Sequence, residues 1–122
     1  MRALALALLL ALPACAKDPQ ALAAEALQGD LSQAEARVKG LIAEHPEEAA
    51  YRMAGFVLYR HLAAQGDPAR QQEFHNQAVV EYDHVTKHFQ LSPDYANMES
   101  SLRAQPEASA LMDAARAPLY GR

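Results

Sequence analysis

The residues best equipped for chemistry are five histidines, His45, His61, His75, His84 and His88, and a single cysteine, Cys15. Glu81, His84 and His88 stand at i, i+3 and i+7, close to one stripe of a helix, a spacing that would suit Zn²⁺. His84 and His88 each precede an apolar residue, Val85 and Phe89, so the plainer reading puts them at the rim of an apolar face. Spacing without further ligands is a weak metal pattern. No metal site is therefore assigned, and Glu81, His84 and His88 are kept as the alternative set. Nucleophilic catalysis has little support: no Gly-x-Ser-x-Gly elbow occurs, and Ser32, Ser92, Ser100, Ser101 and Ser109 fall at caps or polar faces. Five glycines are scattered singly, so no phosphate-cradling loop, nucleotide or other cofactor is expected, and the chain is read as not an enzyme. Tyr51, Arg52, Tyr59 and Arg60 lie along one segment. Arg52, Tyr59 and Arg60 are the candidate partner-binding residues, because two arginines just over two helical turns apart can grip an acidic side chain or a terminal carboxylate. The competing reading is tyrosine in the core with arginine stems reaching water.

Cys15 has a different context. Met1-Arg2 precedes an unbroken run of ten Ala and Leu residues, Ala3 to Leu12, and then Pro13-Ala14-Cys15, which is the layout of a signal peptide. Ten helical residues reach about 15 Å, roughly half the hydrocarbon thickness, so the run is too short to span a bilayer. Leu12-Pro13-Ala14-Cys15 resembles the lipobox of bacterial lipoproteins. That resemblance implies that residues 1–14 are a removed signal peptide, that Cys15 becomes the acylated N-terminus, and that residues 15–18 are a lipidated tether. Ala16, where Asp would resemble an inner-membrane retention signal, implies the outer membrane with the domain facing the periplasm. Without lipidation the alternative is cleavage after Ala14 and a soluble periplasmic protein whose lone thiol, having no second cysteine, cannot form an internal disulfide.

The 122 residues allow one small domain, and the formal charge is −4, from 11 Lys and Arg against 15 Asp and Glu. Hydrophobic residues make up 51% of the chain, but 27 of them are alanine, so the supply of large core side chains is thin. Val, Ile and Thr together number seven, too few for a packed sheet, which excludes all-β and α/β classes. No cluster of Lys and Arg is available to neutralise phosphates, which argues against nucleic acid as a partner.

An all-α fold follows. Asp18-Pro19, Asp67-Pro68 and Ser92-Pro93 each place a capping side chain before a proline suited to the first helical position, while Gly29-Asp30, Pro46 and Pro106 mark the other joints. The segments run over roughly 19–28, 31–45, 47–65, 68–91, 94–104 and 107–116. Apolar spacing of three and four supports them, as in Leu31, Ala34, Val38, Leu41 and Phe74, Ala78, Tyr82, Val85. The segment from Glu47 is apolar almost all round, which predicts a central helix. A carboxylate bundle motif, Glu81-x-x-His84, resembles those of di-iron proteins, but no second copy accompanies it.

Gly29-Asp30-Leu31-x-x-Ala34-x-x-x-Val38-x-x-Leu41, closed by Pro46, resembles the second half of a tetratricopeptide repeat. Tyr59 falls where that family has tyrosine, Arg52 stands in place of its tryptophan, and Gly55-Phe56 reverses its Leu-Gly pair. Ala78, Tyr82 and Val85 repeat the spacing of Ala34, Val38 and Leu41, with about ten additional residues around Gly66 to Gln77. The resemblance implies an antiparallel helix-turn-helix array of about two repeats over 19–91, with a helical cap and tail over 92–122. It further implies an envelope adaptor, membrane-attached through its lipid, that binds another envelope protein in a groove where the central helix faces the 68–91 helix. The rival from another class is a periplasmic metal-handling helical bundle built on Glu81, His84 and His88.

Overall fold

A computed structural model describes residues 18–120; Cys15 and the whole signal-peptide and lipobox segment lie outside the described residues. Those described contain six α-helices and no strand. They are α1 (Pro19–Ala26), α2 (Leu31–Glu44), α3 (Ala49–Gln65), α4 (Gln71–His88), α5 (Met98–Arg103) and α6 (Pro106–Tyr120), with 3-10 turns at Pro68–Arg70 and Tyr95–Asn97.

Side-chain caps explain several of the starts. The Asp18 carboxylate accepts from Ala21 N at 2.7 Å ahead of Pro19, and Asp30 accepts from Ser32 N at 3.0 Å. Between them Gly29 turns the chain at φ +81, a left-handed conformation that glycine adopts without a Cβ penalty. Asp67 accepts from Ala69 N at 3.0 Å, yet it opens the 3-10 turn, and α4 begins only at Gln71. Residues 66–77 are thus a tight turn and the first turns of α4, continuous with the helix. At the third Pro site the cap belongs to Asp94, which receives Asn97 N at 3.2 Å, and not to Ser92. Helix α6 runs four residues past its expected end at 116 and through Pro118. Proline so near a helix end removes few hydrogen bonds, and Leu119, 2% exposed, draws that last turn into the core.

Helix α3 is central and packs on α1, α2, α4 and α6, its broadest interface being with α4. Met53, Ala54, Phe56, Val57, Leu58 and Tyr59 are all buried on it, so that α3 has almost no solvent face. The first turn of α3 shares a recess with the start of α1 and the start of α6, lined by Asp18, Ala49 and Glu107. Helices α1, α3 and α6 therefore run in one direction. Helix α4 runs the opposite way, since Gln71 Nε2 reaches Ala63 O at 3.1 Å at one end while His88 and Phe89 line the recess at the other, and so does α2, whose Glu35 meets Tyr59 while the later Ile42 meets the earlier Gly55. Loop 89–97 is fastened by Tyr82, whose hydroxyl accepts from Asp94 N at 2.7 Å and lies 2.9 Å from Ser101 Oγ.

Candidate functional site

The seam between α3 and α4, where the sequence predicts a partner groove, is closed. Tyr59 is 1% exposed, its ring 6.1 Å from that of Phe74 and its hydroxyl donating to Glu35 Oε2 at 3.2 Å. Burial first, then the Glu35 carboxylate, pushes the Tyr59 phenol well above its ordinary range. Arg52 is also internal. Its Nη1 donates to Glu81 Oε1 at 2.9 Å and its Nε to Pro46 O at 2.9 Å, and the pair has side chains 12% and 5% exposed. Gly55 makes room for this pair, because a Cβ there would lie 3.0 Å from Glu81 Cγ and 3.1 Å from Ile42 Cδ1. Arg52 and Tyr59 are thus fold residues, and neither is presented to a partner.

The metal alternative loses its first member by the same contact, since Glu81 faces Arg52 inside the domain. His84 and His88 are exposed beside Lys87 on a notch shared with Pro46 and Glu47, and among the described residues no three His, Cys, Asp or Glu side chains gather as a metal could use them. The helix turn that spaces them correctly sends Glu81 inward and the histidines outward.

Arg60 has a different fate. Five of the six described arginines are bound within the fold: Arg37 to the carbonyls of Ala26 and Gln28, Arg52 to Glu81, Arg70 to Glu35 and Glu73, Arg103 to Asp113, and Arg116 to Glu99. Arg60 is exposed and, among those six, is the one with no hydrogen-bonded or ion-pair partner, its guanidinium carbon lying 5.9 Å from the centre of the Phe56 ring. It stands on one wall of a cleft of about 460 Å³ between α3 and α6. Val57, Arg60 and Ala64 line it from α3, and Met112, Arg116 and Tyr120 from α6 at successive fourth positions. His75 and Glu99 also line it. Arg116 donates to Glu99 Oε2 at 3.1 Å and stacks over Tyr120 with its guanidinium carbon 4.4 Å from the ring centre, so one wall is ordered before any ligand arrives.

The cleft offers guanidinium donors and an exposed aromatic ring, which suits recognition of an anion joined to an apolar group. Arg116, Tyr120 and Glu99 were not among the residues singled out from sequence. For Arg116 and Tyr120 the signal was the i, i+4, i+8 stripe Met112, Arg116, Tyr120, which is visible only if the last helix is allowed to run through Pro118. At the opposite end of the domain the side chains are acidic. Burial first, then the carboxylates of Glu48, Asp18 and Glu44, pushes the Tyr51 phenol up, and Glu107 joins Asp18 and Glu48 around the recess there. Comparison with protein-family models, with curated proteins and with solved structures finds no match.

Proposed function

We propose that this chain is a lipid-anchored adaptor of a bacterial cell envelope, most simply on the periplasmic face of the outer membrane, which holds another envelope protein in the α3–α6 cleft. The observation that carries the reading is Arg60, a charged side chain left without a counter-ion over a formed cleft while every other described arginine is bound. The lipobox-like Leu12-Pro13-Ala14-Cys15 supplies the anchor. The degenerate tetratricopeptide-like spacing agrees with a protein-binding role, although the surface now proposed is not the one that spacing implied.

Geometry supports the arrangement. Asp18 is three positions after Cys15, a reach of at most about 10 Å, so the end bearing Asp18, Glu48 and Glu107 lies nearest the lipid. Arg60 is eleven residues further along α3 than Ala49, about 16 Å of helix, which carries the cleft beyond one Debye length of about 8 Å. Acidic groups at the near end repel an anionic bilayer and keep the domain standing off it. Two acyl chains suffice for durable attachment, so the helical domain needs no membrane-binding face.

Fractionation and in-cell cross-linking test the reading together. Wild-type protein should sediment with membranes and give a cross-linked product from a photo-reactive residue placed at Ala64, whereas Cys15→Ser should appear in the soluble fraction. A wild-type chain whose mass shows an unmodified N-terminus at Met1 or Cys15 removes the anchor, and no product from Ala64 removes the adaptor.

A further inference from the structure

Resting on that adaptor reading, we infer that the cleft takes an acidic peptide segment of the partner, with a carboxylate on Arg60 and an apolar neighbour against Tyr120. The argument is one of charge complementarity. The described residues hold eight of the chain's eleven Lys and Arg and all fifteen Asp and Glu, a side-chain balance of −7. The cleft reverses that balance locally, with Arg60 and Arg116 against Glu99.

Arg60 has all five N–H donors uncommitted, and Arg116 spends one on Glu99, so a second carboxylate can be accommodated between the walls. The sign of the whole domain limits the size of the anion. A long polyanion or an anionic membrane extending past the cleft meets the negative surface within a Debye length, whereas a carboxylate carried on a short segment meets only the guanidinium groups. The apolar half of the specificity comes from Tyr120, 48% exposed and one of three large apolar side chains so exposed among the described residues. A tyrosine beside arginines is the composition of interface anchors. The small side chains of Ala63 and Ala64 leave room for backbone to approach α3.

The test uses the full chain as purified from the expressing cells and short fluorescein-labelled peptides built from Glu, Ala and Leu, with Gln and Lys counterparts. The Glu peptide should raise fluorescence anisotropy in a salt-sensitive manner, and Arg60→Glu should weaken it by about tenfold or more, the scale of one charge-assisted contact. Arg60→Gln, which keeps the size and drops the charge, should also weaken it, and it guards against a folding defect in the reversal. Equal binding of the Gln peptide, or full binding by a folded Arg60→Gln protein, overturns the proposal. The cross-link from Ala64 separates this from the adaptor reading. A product mapped by mass spectrometry to an acidic segment supports both. One mapped to a neutral or basic segment, or to a second copy of this chain, overturns the acidic-peptide assignment while leaving an interaction surface in place, and no product overturns both.

Discussion

Arg52 and Arg60 sit on one helix, eight residues apart, and in sequence they look like a pair. In the fold they have opposite roles. Arg52 faces α4, where Glu81 meets it at 2.9 Å and both side chains are nearly excluded from water. Arg60 lines the cleft with α6, and the acid that lines it, Glu99 of α5, is already taken by Arg116 and lies 3.8 Å from Arg103 Nε. The residue type is the same, and so is the local helix. What differs is whether the opposing helix leaves a carboxylate to spare, and that decides between an internal ion pair and a charge offered outward.

The largest effect should come from breaking the internal pair. Removing one partner strands a buried charge, so Arg52→Ala should destabilise by about 3–5 kcal/mol in a denaturant melt. The comparison sharpens if Arg52→Met with Glu81→Leu recovers most of that loss, because replacing both charges with apolar groups of similar volume removes the desolvation penalty. An Arg52→Ala melt as stable as wild type would mean that the pair contributes nothing and that the two arginines are equivalent after all.

Gly55 tests how closely that seam is fitted. Gly55→Ala gains about 1 kcal/mol of helix propensity but forces a Cβ to within 3.0 Å of Glu81 Cγ and 3.1 Å of Ile42 Cδ1, and overpacking of this kind costs about 1–3 kcal/mol. A net destabilisation of about 1 kcal/mol is expected. If the variant is instead more stable, the seam around Glu81 is loose and Arg52 is less tightly held than its distance suggests.

The helix count and the central place of α3, apolar almost all round, were both legible from apolar spacing and from Pro and Asp at the joints. The division between Arg52 and Arg60 was not. Period fixes which side of a helix a residue occupies, but the identity of the facing helix depends on how the chain returns. Glu81 comes 29 positions after Arg52, and nothing in the local pattern joins them. Likewise the extra residues near Gly66 read as an insertion because their period was compared with a repeat, whereas physically they are a tight turn feeding a longer α4. The candidate cleft was half legible: Arg60 was singled out, and the α6 wall opposite it was hidden by Pro118 as an apparent stop.

Arg70 is the intermediate case, 40% exposed and bound to Glu35 at 3.2 Å and Glu73 at 2.6 Å. Burial pushes the Glu35 carboxyl up, but the Arg70 hydrogen bond with Lys39 and Arg70 nearby outweighs it and holds the group below its ordinary 4.5. A carboxyl lowered in the folded state stabilises above its unfolded value, and that contribution is lost as pH falls through the folded one. Glu35→Gln should therefore lower stability at neutral pH by about 1 kcal/mol and flatten the acid side of a stability profile below about pH 4.5. A mutant profile parallel to wild type through that window would place the acid sensitivity elsewhere.

The smallest effect on stability belongs to Arg60, and it is the most discriminating. An exposed side chain with no ion pair, held only by a 5.9 Å contact with Phe56, has little to lose on truncation. Arg60→Ala should leave the melt within about 0.5 kcal/mol of wild type. Relief of repulsion between Arg60 and Arg116 across the cleft would even shift it slightly upward, more so at low salt, where screening is weakest. The comparison therefore predicts a separation of several kcal/mol between two arginine-to-alanine changes eight residues apart on one helix. A loss at Arg60 comparable to that at Arg52 would show that its stem, through Phe56 and Val57, supports the core, and the cleft would then be packing and not a docking surface.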